Sequence, residues 1–110
     1  MIAVVICKDQ KGLYRGFYCM GHAEYAKKGK PDILCAAVSA LTIGTVNSLE
    51  KLAGEKLRTI QNEETGFLKC DFESVLQEKS SFLMDSMIFS LENISREYGD
   101  RYLQVKFEEV

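Results

Sequence analysis

The chain has 110 residues with 14 basic and 16 acidic side chains, a formal charge of -2, 46% hydrophobic residues and a single histidine. That length sets one domain, residues 1–110, burying roughly two thirds of the surface its unfolded form exposes, and the composition is that of an ordered globular chain. Near-balanced charge argues against a direct nucleic-acid binder, and apolar runs such as residues 2–7 fall short of the roughly 20 residues that cross a bilayer, so neither nucleic acid nor membrane is an expected partner.

Taken in chain order, residues 1–8 are rich in Val and Ile and predict a strand. A polar turn at 9–12 leads into a second strand over 13–20, which carries Tyr14, Phe17 and Tyr18. Residues 24–31 hold three lysines and Gly29 and predict an exposed loop. The period then changes: Leu34, Val38, Leu41, Thr45, Leu49 and Leu52 form a helical stripe, with Asp32 as N-cap and Gly54 as stop. A second hairpin spans 55–62 and 65–73, with Leu68, Cys70 and Phe72 alternating inward. A second helix carries Leu76, Leu83, Met87, Leu91, Ile94 and Tyr98, stops at Gly99, and precedes a last strand over 101–108.

Each helix has one apolar stripe and so needs one covering partner. The expected fold is α+β: two amphipathic helices packed on one face of a four- to five-stranded, largely antiparallel sheet. Tyr14, Tyr18, Phe67 and Tyr102 fall opposite the expected core residues, which predicts an aromatic surface on the other sheet face and a homodimer built on it.

Cys7, Cys19, Cys35 and Cys70 are widely and irregularly spaced, and no basic, apolar leader precedes the first strand. The expectation is a cytoplasmic chain with reduced thiols, no disulfide framework and, lacking any C-x-x-C, no metal site. One cysteine stands apart. With Asp32 as N-cap, Cys35 lies in the first helical turn, where unpaired N–H groups and the macrodipole favour a thiolate. His22, the only histidine, closes the second strand and is brought back toward Cys35 by the loop. A thiolate beside an imidazolium is the equipment of acyl transfer. Ser39 and Thr42 follow Cys35 at one and two turns on the same helix face, Asp32 could cap the helix or orient His22, and backbone N–H groups near Cys35 could form an oxyanion hole. Against this stands the plainer reading of Cys35 as a small packed residue and His22 as a turn residue.

The segment GHAEYAKKGKPDILCAAVSAL, Gly21 to Leu41, resembles the ribosomal-processing cysteine protease family (Prp), and the chain agrees with it in length and element order. The resemblance implies a homodimer with His22 as base, Cys35 as nucleophile, Asp32 and Ser39 as supporting polar residues, and no cofactor. It implies a substrate that is a large-subunit ribosomal protein precursor, whose N-terminal extension is cut off after an aromatic pair and before alanine. The loop, with Glu24, Lys27, Lys28, Gly29 and Lys30, would then gate substrate entry. The competing expectation is a non-catalytic, dimeric ribosome-associated binding module.

Overall fold

The computed structural model covers residues 1–110. Strands β1 (Ile2–Lys8) and β2 (Tyr14–Met20) form a hairpin, whose turn is fastened by the Asp9 carboxylate accepting the Lys11 and Leu13 N–H groups at 2.9 and 3.0 Å. Helix α1 (Ile33–Asn47) runs into a wider π-helical turn, Ser48–Leu52. Strands β3 (Leu57–Asn62) and β4 (Phe67–Phe72) make the second hairpin, followed by α2 (Glu78–Tyr98) and β5 (Leu103–Glu109). The five strands lie in the order β3-β4-β2-β1-β5. Every pairing is antiparallel except β1 with β5, which run parallel because the α2 crossover returns the chain in the direction of β1.

Alternation sends Ile2, Val4, Ile6, Phe17, Cys19, Leu68, Cys70, Phe72 and Leu103 to one sheet face, where they form a single buried cluster with Leu34, Val38, Leu49, Met84, Met87, Ile88 and Leu91. Both helices therefore cover the same face of a mixed five-stranded sheet, the expected architecture.

The aromatic sheet surface does not form as expected. A bulge between Cys7 and Lys8 shifts the register, so Tyr14 packs against the core and its hydroxyl donates to Asp85 of α2 at 2.5 Å. Tyr102 also packs on the core, edge-on to Tyr25 at 5.2 Å, and Phe67 lines a cleft beside α1. Tyr18 keeps the expected position, its hydroxyl donating to Glu108 at 3.2 Å, and Phe67 keeps its alternation with the buried Leu68, Cys70 and Phe72. Large exposed apolar residues lie on both layers: Ile33 and Ile43 on α1, Leu52 beyond it, Phe82 and Phe89, 71% and 65% exposed, seven residues apart on α2, and, on the sheet, Ile60 of β3 and Phe107 of β5.

Helix α1 also differs in its inner face. Leu34, Val38 and Thr42 are buried at strict four-residue spacing, and the Thr42 hydroxyl is satisfied by donating to the Val38 carbonyl at 2.9 Å. At the C-terminal end Ala53 N–H bonds Ser48 O five residues back. This wider turn breaks the 3.6-residue period and leaves Leu52 81% exposed rather than in the stripe. The combined helical segment Ile33–Leu52, 20 residues, is long and apolar enough in composition to cross a membrane although no uninterrupted apolar run is; Leu34, Val38, Thr42 and Leu49 are its buried positions.

Candidate active site

Strand β2 ends at Met20, and Gly21 turns the chain so tightly over the β1 entry that a Cβ there would lie 2.3 Å from the Met1 carbonyl oxygen. This turn lifts His22 out to solvent and sends Ala23 into the core. The Ala23 N–H donates to Cys35 Sγ at 3.2 Å. The sulfur of a half-buried cysteine in the first turn of α1 thus receives a backbone donor from the residue after the histidine.

Asp32 organises the junction. Its Oδ1 accepts the Leu34 and Cys35 N–H groups at 2.9 and 3.1 Å, the geometry of an N-cap. Its Oδ2 accepts the Tyr25 and Ala26 N–H groups at 2.9 and 3.2 Å. Burial works to raise this carboxyl, but the four donated hydrogen bonds outweigh it and hold Asp32 below the usual carboxylate range. Of the two roles open to Asp32, the carboxylate fills that of cap, and it makes no hydrogen bond to His22. With the Ala36 N–H bonded to the Asp32 carbonyl at 3.0 Å, the N–H groups of residues 34–36 are already engaged. The backbone at Cys35 therefore offers no free oxyanion hole.

His22 Nε2 lies 3.0 Å from the carbonyl oxygen of Glu64, in the turn between β3 and β4. His22 and Cys35 together line two hollows. One is a cleft of about 200 Å³ between α1 and the second hairpin, walled by Val38, Ser39, Thr42, Ile43 and Gln61. The other lies under the loop and is lined by Glu24, Lys27, Lys28, Gly29, Lys30 and Asp32. The structure thus brings His22, Cys35, Asp32 and the loop residues to one place, with Ser39 one turn along the cleft wall and exposed. The loop is pinned at one end only. Tyr25 packs edge-on against Tyr98 and Tyr102 at 5.6 and 5.2 Å, whereas Lys27, Lys28, Gly29 and Lys30 are exposed.

The other cysteines are chemically distinct. Burial raises Cys19 and pushes Cys70 up to about 12, and burial with the charges of Glu108 and Asp71 raises Cys7. Sequence reasoning missed two backbone contributors, the Ala23 N–H and the Glu64 carbonyl. Neither has a side-chain signature. The one hint is Gly66, which closes the turn bearing Glu64.

A thiol at a helix start, a lone imidazole and a cleft that continues past both on a mixed sheet are the means of thiol-dependent acyl transfer. The profile of the cysteine protease Prp family matches residues 1–104. The ribosomal processing cysteine protease Prp of Bacillus subtilis (strain 168) is 34% identical over 104 residues, covering 91% of this chain and 92% of the relative. The Prp of Staphylococcus aureus (strain Mu50) is 27% identical over 100 residues, covering 91% and 93%. Among solved structures, S. aureus Prp with a covalently linked product peptide superposes with a TM-score of 0.88 at 25% identity, covering 98% of this chain and all of that one. SMU.848 from Streptococcus mutans superposes with a TM-score of 0.84 at 26% identity, covering 100% and 96%. The chain belongs to the cysteine protease Prp family and is a cysteine protease.

Proposed function

We propose that this chain is a cytoplasmic cysteine endopeptidase that removes the N-terminal extension of a large-subunit ribosomal protein precursor, cutting after an aromatic pair and before alanine. The observation that carries the proposal is the position of Cys35 Sγ, in the first turn of α1, taking the Ala23 N–H beside His22 in an open cleft. That B. subtilis and S. aureus relatives are named ribosomal processing proteases, and that one S. aureus structure holds a linked product peptide, supports the substrate class.

In this reading His22 removes the thiol proton and Cys35 Sγ attacks the scissile carbonyl. The helix macrodipole and the Ala23 N–H stabilise the thiolate. His22 then gives the proton to the departing amine nitrogen, leaving an acyl-enzyme on Sγ. Water, deprotonated through His22, displaces the acyl group and regenerates the thiol. Asp32 acts at one remove by holding the Tyr25–Ala26 backbone against the start of α1. Ser39 supplies a polar group to the cleft wall. The loop at 24–30 covers the second hollow and gates it.

Cleavage of a peptide carrying an aromatic-aromatic-alanine site by the parent protein and by Cys35→Ala is the direct test. Loss of cutting in Cys35→Ala is expected; equal cutting would sink the mechanism and leave the binding-module role. The proposed assembly is a homodimer, supported by the exposed Phe82 and Phe89 on one face of α2. Sedimentation of parent and Phe82→Asp/Phe89→Asp protein should show a dimer and a monomer; a monomeric parent would end that part of the reading.

A further inference from the structure

We infer that the backbone carbonyl of Glu64 is the third member of the site, the group that fixes the tautomer and orientation of His22. The inference rests on the Cys35–His22 reading above. A carbonyl oxygen can only accept, so at 3.0 Å from Nε2 it requires the proton to be on that nitrogen. The lone pair of the neutral ring is thereby left on Nδ1, the nitrogen available to take the proton from Cys35 Sγ. When Nδ1 is protonated, the contact becomes an imidazolium N–H donating to a carbonyl, and charge assistance strengthens it as the ion pair forms. No other group competes for the role. Asp32 is occupied by four backbone N–H groups, and Glu64 O is the one hydrogen-bond partner of the ring within the chain.

The turn is built to hold that carbonyl still. Asn62 Oδ1 accepts the Glu64 N–H at 3.1 Å, the Thr65 hydroxyl donates to the Asn62 carbonyl at 3.3 Å, and the Gly66 N–H donates to the Glu63 carbonyl at 3.3 Å. Gly66 has φ +69, and a Cβ on it would lie 2.3 Å from the Gly21 carbonyl oxygen and 3.2 Å from His22 Cε1. The tip of the second hairpin is therefore pressed directly on the turn that carries His22, which only glycine permits. Residues 42 positions apart in sequence meet at one hydrogen bond, and the second hairpin acquires a task beyond closing the sheet edge.

Glu64 is a positioning residue in this scheme, acting through a main-chain atom, so the decisive change is in the backbone. Replacing Thr65 by the corresponding α-hydroxy acid converts the 64–65 amide to an ester and weakens the Glu64 carbonyl as an acceptor, with every side chain retained. The Thr65 N–H that is lost makes no hydrogen bond in the structure. The protein can be assembled from three segments joined at Cys35 and Cys70. Because His22 is the only histidine, its ring-nitrogen resonances give one unambiguous reading of the tautomer. The expected result is a kcat lower by about 5- to 10-fold on the aromatic-aromatic-alanine peptide, with KM unchanged, and a smaller share of the ring carrying its proton on Nε2. An ester variant with the parent's kcat and tautomer ratio, or one that changes KM alone, overturns the role of Glu64 while Cys35→Ala stays inactive. Equal cutting by Cys35→Ala overturns the dyad reading and this role with it.

Discussion

Asp32 and Cys35 are joined by a hydrogen bond from the Cys35 N–H to Asp32 Oδ1 at 3.1 Å, while the other carboxylate oxygen takes the Tyr25 N–H at 2.9 Å. One side chain thus ties the candidate nucleophile's helix to the backbone just past His22. A cap lost to alanine costs about 1 kcal/mol, and here two loop donors lose their acceptor as well. Asp32→Ala is expected to lower stability by about 1–2 kcal/mol and to reduce peptide cleavage. Asp32→Asn, which keeps one acceptor oxygen, should lie between it and the parent. The carboxyl is held below its unfolded value, so its contribution is present above roughly pH 4 and disappears as pH falls toward the folded pKa. Urea unfolding of parent and Asp32→Ala at pH 7 and pH 3 should show the gap closing at the acid value; a constant gap would mean that the charge contributes nothing.

The four thiols should separate in a labelling experiment. With Cys70 pushed up to about 12, on the order of one molecule in 10⁵ carries its thiolate at pH 7, and Cys70 is fully buried as well. Cys19 is raised and buried, and Cys7 is raised by burial and by Glu108 and Asp71. Iodoacetamide at neutral pH is expected to modify Cys35 first, and a peptide map after one equivalent checks it. Predominant labelling of Cys7 would contradict the sorting. His22→Ala should slow the reaction at Cys35 and leave the other three unchanged.

The order of elements, the inward face of β4 and the Asp32 cap were legible because each depends on local periodicity or on a cap residue next to its helix. The convergence of His22 and Cys35 was legible for a related reason: a strand end and a helix start are joined by one short loop. Tyr14 was misplaced because a bulge in its own strand, with Arg15 as the extra residue opposite Cys7 and Lys8, resets its facing, and no residue type marks that bulge. Leu52 was misplaced because a π turn has no signature in the spacing of apolar residues. The Ala23 N–H and the Glu64 carbonyl were invisible for a deeper reason. Every residue but proline carries such groups, and only the fold decides which of them meet a sulfur or an imidazole.

Glu55 offers a pH-dependent test away from the site. It is buried just beyond the π turn, and its Oε2 accepts the Gln77 N–H at 3.0 Å while the Gln77 amide donates to the Ala53 carbonyl at 2.9 Å. This clasp joins the end of the first helical segment to the start of α2, whose N-cap Gln77 has no side-chain cap of its own. Burial works to raise the Glu55 carboxyl, but the Ser80 hydroxyl, Gln77 and the Lys79 charge together bring it below its ordinary value. Its stabilisation is therefore full above about pH 4.5 and is lost as pH falls through the folded pKa. Glu55→Ala is expected to cost about 1–3 kcal/mol at pH 7 and much less at pH 3.5, measured by urea unfolding. An undiminished difference at acid pH would assign the effect to packing alone.

The loop beside Cys35 allows gating to be tested without disturbing the loop's resting shape. Gly29 has φ +83, and a Cβ there would meet no atom within 4 Å, so the position is constrained by backbone conformation and not by space. A D-alanine favours positive φ and narrows the states open to the segment. Substituted at position 29 it should hold the lysine-bearing half of the loop as it stands, while Tyr25 and Asp32 keep the other half anchored. If residues 24–30 must move to admit a peptide into the hollow they line with His22 and Cys35, turnover should fall severalfold, whereas Cys35 alkylation by iodoacetamide should change little, the reagent being small enough to enter from the cleft side. Parallel losses in both would point to a displaced thiol, and unchanged peptide cleavage would show that the loop does not gate.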